Sequence, residues 1–168
     1  VCSGSFDPVT NGHIDIFERA SKMFDELIIC VFNNMHKEGF FPVDERVALI
    51  KQATNHLANV KVAAFSGLLT DFMQKNKAQI IVRGIRSVKD LEYEENEAYM
   101  IRHLAPAVDT VFLLTRPEYS FVSSSGIREL YHFNGTVHGL VPKCVEQAML
   151  AKARERKQAD YVSTRYIR

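Results

Sequence analysis

Short apolar bursts alternate along the chain with longer segments in which apolar residues recur every three or four positions. Leu27–Phe32, Val60–Phe65, Gln79–Val82 and Thr110–Leu114 are β-branched or apolar runs of strand length. Between them, Ile14, Phe17, Ala20 and Phe24 share one helical face, and so do Val47, Ile50, Ala53, Thr54 and Leu57. The same spacing predicts helices over 69–76, 91–104, 125–132 and 141–156. Only Val1-Cys2-Ser3 precede Gly4, which is short for a strand, so the chain is expected to begin part-way through its first one. Strand–helix alternation with near-continuous apolar strands predicts an α/β fold, a parallel sheet covered on both faces.

In such a sheet, ligands bind where the carboxyl ends of the strands lead into helices. The segments there are Gly4–His13, Asn33–Lys37, Ser66–Leu69, Arg83–Arg86 and Thr115–Ser125. All five are expected along one edge, as one site.

Composition narrows the function without naming it. The 168 residues suit one domain, and 46% hydrophobic with 24% charged residues is ordinary for a globular protein. With 21 basic against 20 acidic residues the formal charge is +1, so no general nucleic-acid binding is expected. Cys2, Cys30 and Cys144 are odd in number and far apart, which suits neither a disulfide frame nor a zinc site and points to a reducing cytoplasm. The apolar runs are too short to span a bilayer, and no leader pattern is present, so no membrane partner is expected.

Four constellations at the strand exits favour anions. Gly4 allows close backbone approach, Asn11-Gly12 stands where a helix begins, and His13 follows in its first turn. A strand–turn–helix junction with a capping histidine is the other reading of these residues. Arg83-Gly84-Ile85-Arg86 suits phosphate clamping by two planar forks, or alternatively ion pairing with the acidic residues from Asp90 to Glu97. Ser123-Ser124-Ser125 before a helix provides hydroxyls and free N–H groups, or else a plain serine cap. Lys37 stands out only by its place after the second strand. No Ser-His-Asp, Cys-His or paired-carboxylate arrangement is apparent, and His56, His103, His132 and His138 lack metal-ligand spacing. Phosphate donors without a nucleophile suggest transfer of a nucleotidyl or phosphoryl group between bound substrates.

The stretch from Gly4 to His13 resembles the T/H-x-G-H signature of the nucleotidyltransferase superfamily. Together with Arg83–Arg86, the run Asp90–Glu94 and the three serines, in that order, it is similar to the bacterial phosphopantetheine adenylyltransferase family from Val1 to about Ala151. The resemblance implies a single Rossmann-like domain with a parallel five-stranded sheet over 1–151, and a basic helix end and tail over 152–168. It implies transfer of AMP from ATP to 4′-phosphopantetheine, giving dephospho-coenzyme A and pyrophosphate, in the penultimate step of coenzyme A synthesis.

Carried over by position, Ser5, Lys37, Leu69 and Arg83 would contact phosphopantetheine. Ser5, Phe6, His13, Gly84, Ile85, Arg86, Glu94, Tyr119, Ser120, Phe121, Val122, Ser123, Ser124 and Ser125 would hold ATP. His13, Lys37 and Arg86 would be catalytic, with Mg²⁺ bound through ATP phosphates and no metal ligand from the protein. Coenzyme A as a feedback ligand and a homo-hexamer are also implied. A transferase for another phosphate acceptor, or a non-catalytic nucleotide-binding module, is the alternative. Ser5 replaces a threonine common in the family, and Gly126 stands where a larger apolar residue is usual.

Overall fold

The computed structural model describes residues 1–33 and 39–165. Five strands alternate with helices: β1 (Cys2–Gly4), α1 (Asn11–Ser21), β2 (Leu27–Phe32), α2 (Val43–Ala53), β3 (Val60–Phe65), α3 (Leu69–Lys75), β4 (Ile80–Ile85), α4 (Val88–Leu104) and β5 (Asp109–Leu114). A 3₁₀ turn (Pro117–Tyr119), α5 (Ser124–His132) and α6 (Lys143–Arg165) follow. Every ladder is parallel.

The single five-stranded sheet expected from the sequence is corrected to two sheets, β1-β2-β3 and β4-β5. They abut through one residue. The Val1 amino group donates to Ile80 O at 2.7 Å, and Val82 N–H donates to Val1 O at 2.8 Å. Further along, the Ser3 carbonyl is taken at 2.7 Å by the Arg83 guanidinium rather than by a β4 amide, so the ladder does not continue.

Side-chain alternation puts the two apolar faces of the strands against different helices. Leu27, Ile29 and Val31 point into a core with Ile16, Phe17, Leu49, Ile50, Ile127, Val145 and Met149, from α1, α2, α5 and α6. Cys30 and Ile81 point the other way, against Phe72, Met73 and Ile101 of α3 and α4. Phe17, Ile29 and Ile50 are fully buried, which stabilises by about 1.5–3 kcal/mol each relative to exposure.

Helix boundaries shift from expectation for local reasons. Thr54 closes α2 by donating its hydroxyl to Ile50 O at 2.7 Å, leaving Leu57 outside the helix. Ser87 caps α4 and starts it earlier than 91, its hydroxyl accepting Asp90 N–H. Helix α6 continues past 156 to Arg165. Among the described residues, no helix is long and apolar enough to cross a membrane.

Candidate active site

Between β1 and α1 the backbone turns through Phe6, a non-glycine residue at φ 45°, a conformation that costs energy and persists only where its surroundings enforce it. The turn folds the Phe6 ring back over Gly4, where a Cβ would lie only 3.0 Å from the ring. The missing Gly4 side chain makes room for Phe6, and Gly4 itself borders the cavity. The ring meets His13 edge-on, with centroids 5.2 Å apart, and packs on Phe17 at 5.3 Å.

Thr10 is the N-cap of α1, and the capping is reciprocal: its hydroxyl accepts His13 N–H at 3.4 Å, and its own N–H donates to His13 Nδ1 at 3.0 Å. This is a capping box with histidine in the glutamate position. Asn11 N–H is also occupied, by Leu140 O at 2.9 Å. Of the first-turn amides expected to be free, Gly12 N–H alone has no protein partner among the described residues.

An imidazole nitrogen that accepts a backbone N–H carries no proton, so neutral His13 holds its hydrogen on Nε2. Burial, with the Arg86 charge adding to it, pushes the His13 pKa down to about 4. At neutral pH the residue is an uncharged Nε2–H donor.

Arg83 and Gly84 lie inside β4 rather than in an exit loop, because pairing with β5 continues through Gly84↔Leu113 and Ile85↔Leu114. Arg86 follows the strand and its guanidinium is clamped by three hydrogen bonds to two partners. Its Nε and Nη2 donate to the two Asp90 carboxylate oxygens at 2.8 and 3.2 Å, and its Nη1 donates to Val122 O at 3.1 Å. The Arg86 hydrogen bonds and charge hold the Asp90 carboxyl below its ordinary range. Arg83 Nε stands 3.1 Å from Glu94 Oε2, but not along the N–H direction, so the ion pair leaves that buried oxygen without a donor. Burial raises the Glu94 pKa, Glu97 and Asp90 adding to the effect and Arg83 and Arg86 opposing it.

All three serine oxygens have protein partners, but only Ser124 spends its O–H on one. Ser123 Oγ caps α5 by accepting Gly126 N–H at 3.0 Å, and Ser124 Oγ donates to Pro8 O at 2.8 Å. Ser125 Oγ accepts Arg128 Nη2 at 3.2 Å, while Arg128 Nη1 donates to Asp7 O. The serine segment presents the Ser123 and Ser125 O–H donors and the backbone N–H of Ser124 and Ser125 at the start of α5, the positive end of its dipole.

One cavity of about 350 Å³ gathers these groups. Of the residues singled out in the sequence, Ser5, Phe6, His13, Arg83, Gly84, Arg86, Glu94 and Val122 to Ser125 line it. Ile85, Leu69, Tyr119, Ser120 and Phe121 do not; Ile85 is buried in β4, and Phe121 instead lines an apolar cavity of about 400 Å³ with Ile127, Leu130 and Phe133. Lys37 lies outside the described residues.

Several supporting residues escaped the sequence reading. The buried Asp7 carboxylate accepts Phe40 N–H at 2.7 Å and Phe41 N–H at 2.8 Å, and buried Arg46 donates to Ser5 O at 2.8 Å. Thr10 could have been found from the Thr-x-x-His spacing before an apolar helix face. The ion pairing of Arg83 and Arg86 with acidic residues beyond them, the other reading of that segment, is present in Arg86–Asp90 and Arg83–Glu94. Nothing local marks Asp7 or Arg46, whose partners are distant in sequence. Among the described residues, no three of His, Cys, Asp and Glu gather as a metal-binding group.

An open cavity at the carboxyl ends of β1 and β4, with helix starts, a neutral histidine and two arginines around it, defines a phosphate-handling site on an α/β fold. The chain belongs to the cytidylyltransferase-like family, whose model matches residues 1–130. It is 51% identical over 143 residues to the phosphopantetheine adenylyltransferase of Clostridium botulinum, covering 85% of this chain and 90% of that protein. The enzyme of the same name from Shouchella clausii is 49% identical over 149 residues, 89% of this chain and 94% of the relative. That from Syntrophomonas wolfei is 48% identical over 152 residues, 90% and 94% respectively. A crystal structure of a candidate nicotinate-nucleotide adenylyltransferase from Vibrio parahaemolyticus aligns with a TM-score of 0.63 at 17% identity, covering 89% of this chain and 96% of that one. That likeness is one of fold.

Proposed function

We propose that the chain is a phosphopantetheine adenylyltransferase, moving AMP from ATP to 4′-phosphopantetheine with release of pyrophosphate. The observation that carries the reading is a single cavity in which an uncharged His13 donor, Arg83, Arg86 and the open start of α5 converge. Relatives of that name are about half identical over most of the chain.

The acceptor phosphate is already ionised near neutral pH and serves as the nucleophile. Its oxygen forms a bond to the α-phosphorus of ATP while the bond from that phosphorus to the bridging oxygen breaks, and the electron pair leaves with pyrophosphate. No general base is needed. The work left to the protein is holding two polyanions together and stabilising charge on the α-phosphate. His13 Nε2–H is placed for that task as a donor needing no protonation, while Arg86, immobilised by Asp90 and Val122 O, presents a fixed positive charge. Lys37 and Leu69 are assigned to the acceptor side with Ser5 and Arg83, and Tyr119 to Ser125 with Gly84 to Arg86 and Glu94 to the nucleotide side.

The described donor set is cationic and amide-rich, which suits a metal carried on the triphosphate rather than held by side chains. Mg²⁺ bound in that way would supply neutralisation of phosphate charge. Residues 1–151 are read as the nucleotidyltransferase domain and 152–168 as its basic helix end and tail. A cytoplasmic homo-hexamer with coenzyme A as feedback ligand completes the proposal.

Pyrophosphate release from ATP and Mg²⁺, with and without 4′-phosphopantetheine, tests the reading in wild type and His13→Ala. Acceptor-dependent release that falls roughly 10²–10³-fold in the variant is expected. Acceptor-dependent release that survives the substitution would remove His13 from the mechanism. ATP binding without release for any acceptor would leave a nucleotide-binding module.

A further inference from the structure

Arg116 lies just before the segment read as the nucleotide side of the site, and its guanidinium reaches across to α1. Its Nε stands 2.9 Å from Asp15 Oδ1, with the Asp15 side chain only 4% exposed and that of Arg116 58% exposed. The second oxygen of the same carboxylate pairs with Arg19 Nη1 at 3.1 Å, and that nitrogen also donates to Leu114 O at 2.7 Å. The end of β5, through Arg19, and Arg116 at the start of the 3₁₀ turn are thus both tied to one buried carboxylate. Asp15 stands two positions after His13 on the same helix.

The segment beginning at Arg116 then crosses the start of that helix. A Cβ on Gly12 would lie 3.4 Å from Tyr119 Cβ, and Val122 passes its carbonyl to Arg86. Between Arg116 and Val122 the remaining backbone bonds are internal to the turn, Tyr119 N–H to Arg116 O, Ser120 N–H to Pro117 O and Val122 N–H to Tyr119 O. Tyr119 and Val122 pack into the core beneath the turn, and its two ends are fixed by the Arg86–Val122 bond at one and the Arg116–Asp15 pair at the other.

We infer that the Arg116–Asp15 ion pair is a positioning device that seats residues 117–125 against the start of α1 and thereby sets the affinity for ATP. Arg116 touches no cavity surface and is not a catalytic residue. Its loss leaves Asp15 still paired with Arg19, so no buried charge is stranded and the fold is retained. The inference rests on reading that segment as the nucleotide side, which is why binding is measured separately from turnover.

The experiment compares wild type, Arg116→Ala and Arg116→Lys by calorimetric titration with ATP and by steady-state kinetics with 4′-phosphopantetheine. For Arg116→Ala the Kd and KM for ATP rise roughly two- to fivefold, as expected for losing one partly exposed ion pair, with KM for the acceptor, kcat and Tm unchanged. Arg116→Lys, which keeps the charge, recovers part of the ATP affinity. Unchanged ATP affinity in Arg116→Ala overturns the inference while leaving the adenylyltransferase reading intact, and so does a parallel change in both KM values with a fall in Tm. Wild type that binds ATP tightly but forms no dephospho-coenzyme A overturns the adenylyltransferase reading, while the Kd comparison still decides the role of Arg116. Wild type that does not bind ATP overturns both.

Discussion

Thr10 and His13 cap each other. The Thr10 N–H donates to the imidazole Nδ1 at 3.0 Å and the Thr10 hydroxyl accepts the His13 N–H at 3.4 Å. One pair of residues thus starts α1, orients the ring and selects its tautomer, with burial keeping the ring uncharged. Glutamine also satisfies a capping box, so His13→Gln separates the cap from the chemistry. The variant is expected to keep wild-type stability to urea while turnover falls roughly 10²–10³-fold. A comparable fall in both would make His13 a structural cap only.

The same burial sets a pH dependence. The His13 pKa falls from 6.5 to about 4 on folding, so between those values the unfolded chain binds a proton that the folded chain excludes. This contribution is constant above about pH 6.5 and turns unfavourable as pH falls toward 4. The urea midpoint of wild type should drop more between pH 7 and pH 5 than that of His13→Gln. Equal drops would show that the folded state does not exclude the proton.

Asp90 fixes Arg86 through a forked pair of hydrogen bonds, and Arg86 holds the Asp90 pKa below 3.8. Because the folded value is depressed, the pairing contributes above the unfolded carboxylate range and is lost only as pH falls through the folded value. Asp90→Asn should lower kcat/KM about tenfold with Arg86 still present, the size expected for unlatching a charge-assisted fork. Kinetics identical to wild type would show that Val122 O alone orients Arg86.

Asp7 offers its two carboxylate oxygens to Phe40 N–H and Phe41 N–H from within the core. Asp7→Ala leaves one buried and one part-buried donor without acceptors and should cost about 2–5 kcal/mol by urea denaturation. Asp44→Ala, on the exposed first turn of α2, provides the contrast and should change stability by about 0.5 kcal/mol or less.

Cys2 and Cys30 are buried, and burial pushes both thiols up to about 12. Neither forms thiolate near neutral pH, so although Cys2 borders the cavity it is no nucleophile. Mass spectrometry after iodoacetamide treatment at pH 8 should find both unmodified in folded protein and modified in urea. Fast labelling of folded Cys2 would contradict the burial.

The strand bursts and helical faces were legible because period-two and period-3.6 patterns record which side of an element meets a core, and the core is where most of the stabilisation arises. Of the five segments those patterns placed on one edge, Gly4–His13, Arg83–Arg86 and Thr115–Ser125 contribute residues to one cavity, Ser66–Leu69 does not, and most of Asn33–Lys37 lies outside the described residues. Local pattern could not show that Arg83 and Gly84 belong to β4. That extension depends on β5, whose partner residues Phe112 to Leu114 lie some thirty positions away.

Residue types and their order along the chain determined the α/β class, the anion-binding character of the edge and the family. Which donors remain free there was decided by long-range contacts. Ser124 turns to Pro8, Arg128 to Asp7 and Ser125, Asn11 to Leu140 and Gly139, and Arg86 to Val122. A hydroxyl or guanidinium in sequence is only a capacity to bond. Which partner it takes depends on groups brought together from distant segments, since hydrogen bonds act over about 3 Å and ignore separation along the chain. Among the described residues, Gly12, Ser124 and Ser125 N–H, His13 Nε2 and the Ser123 and Ser125 O–H groups are donors still open after that folding is complete.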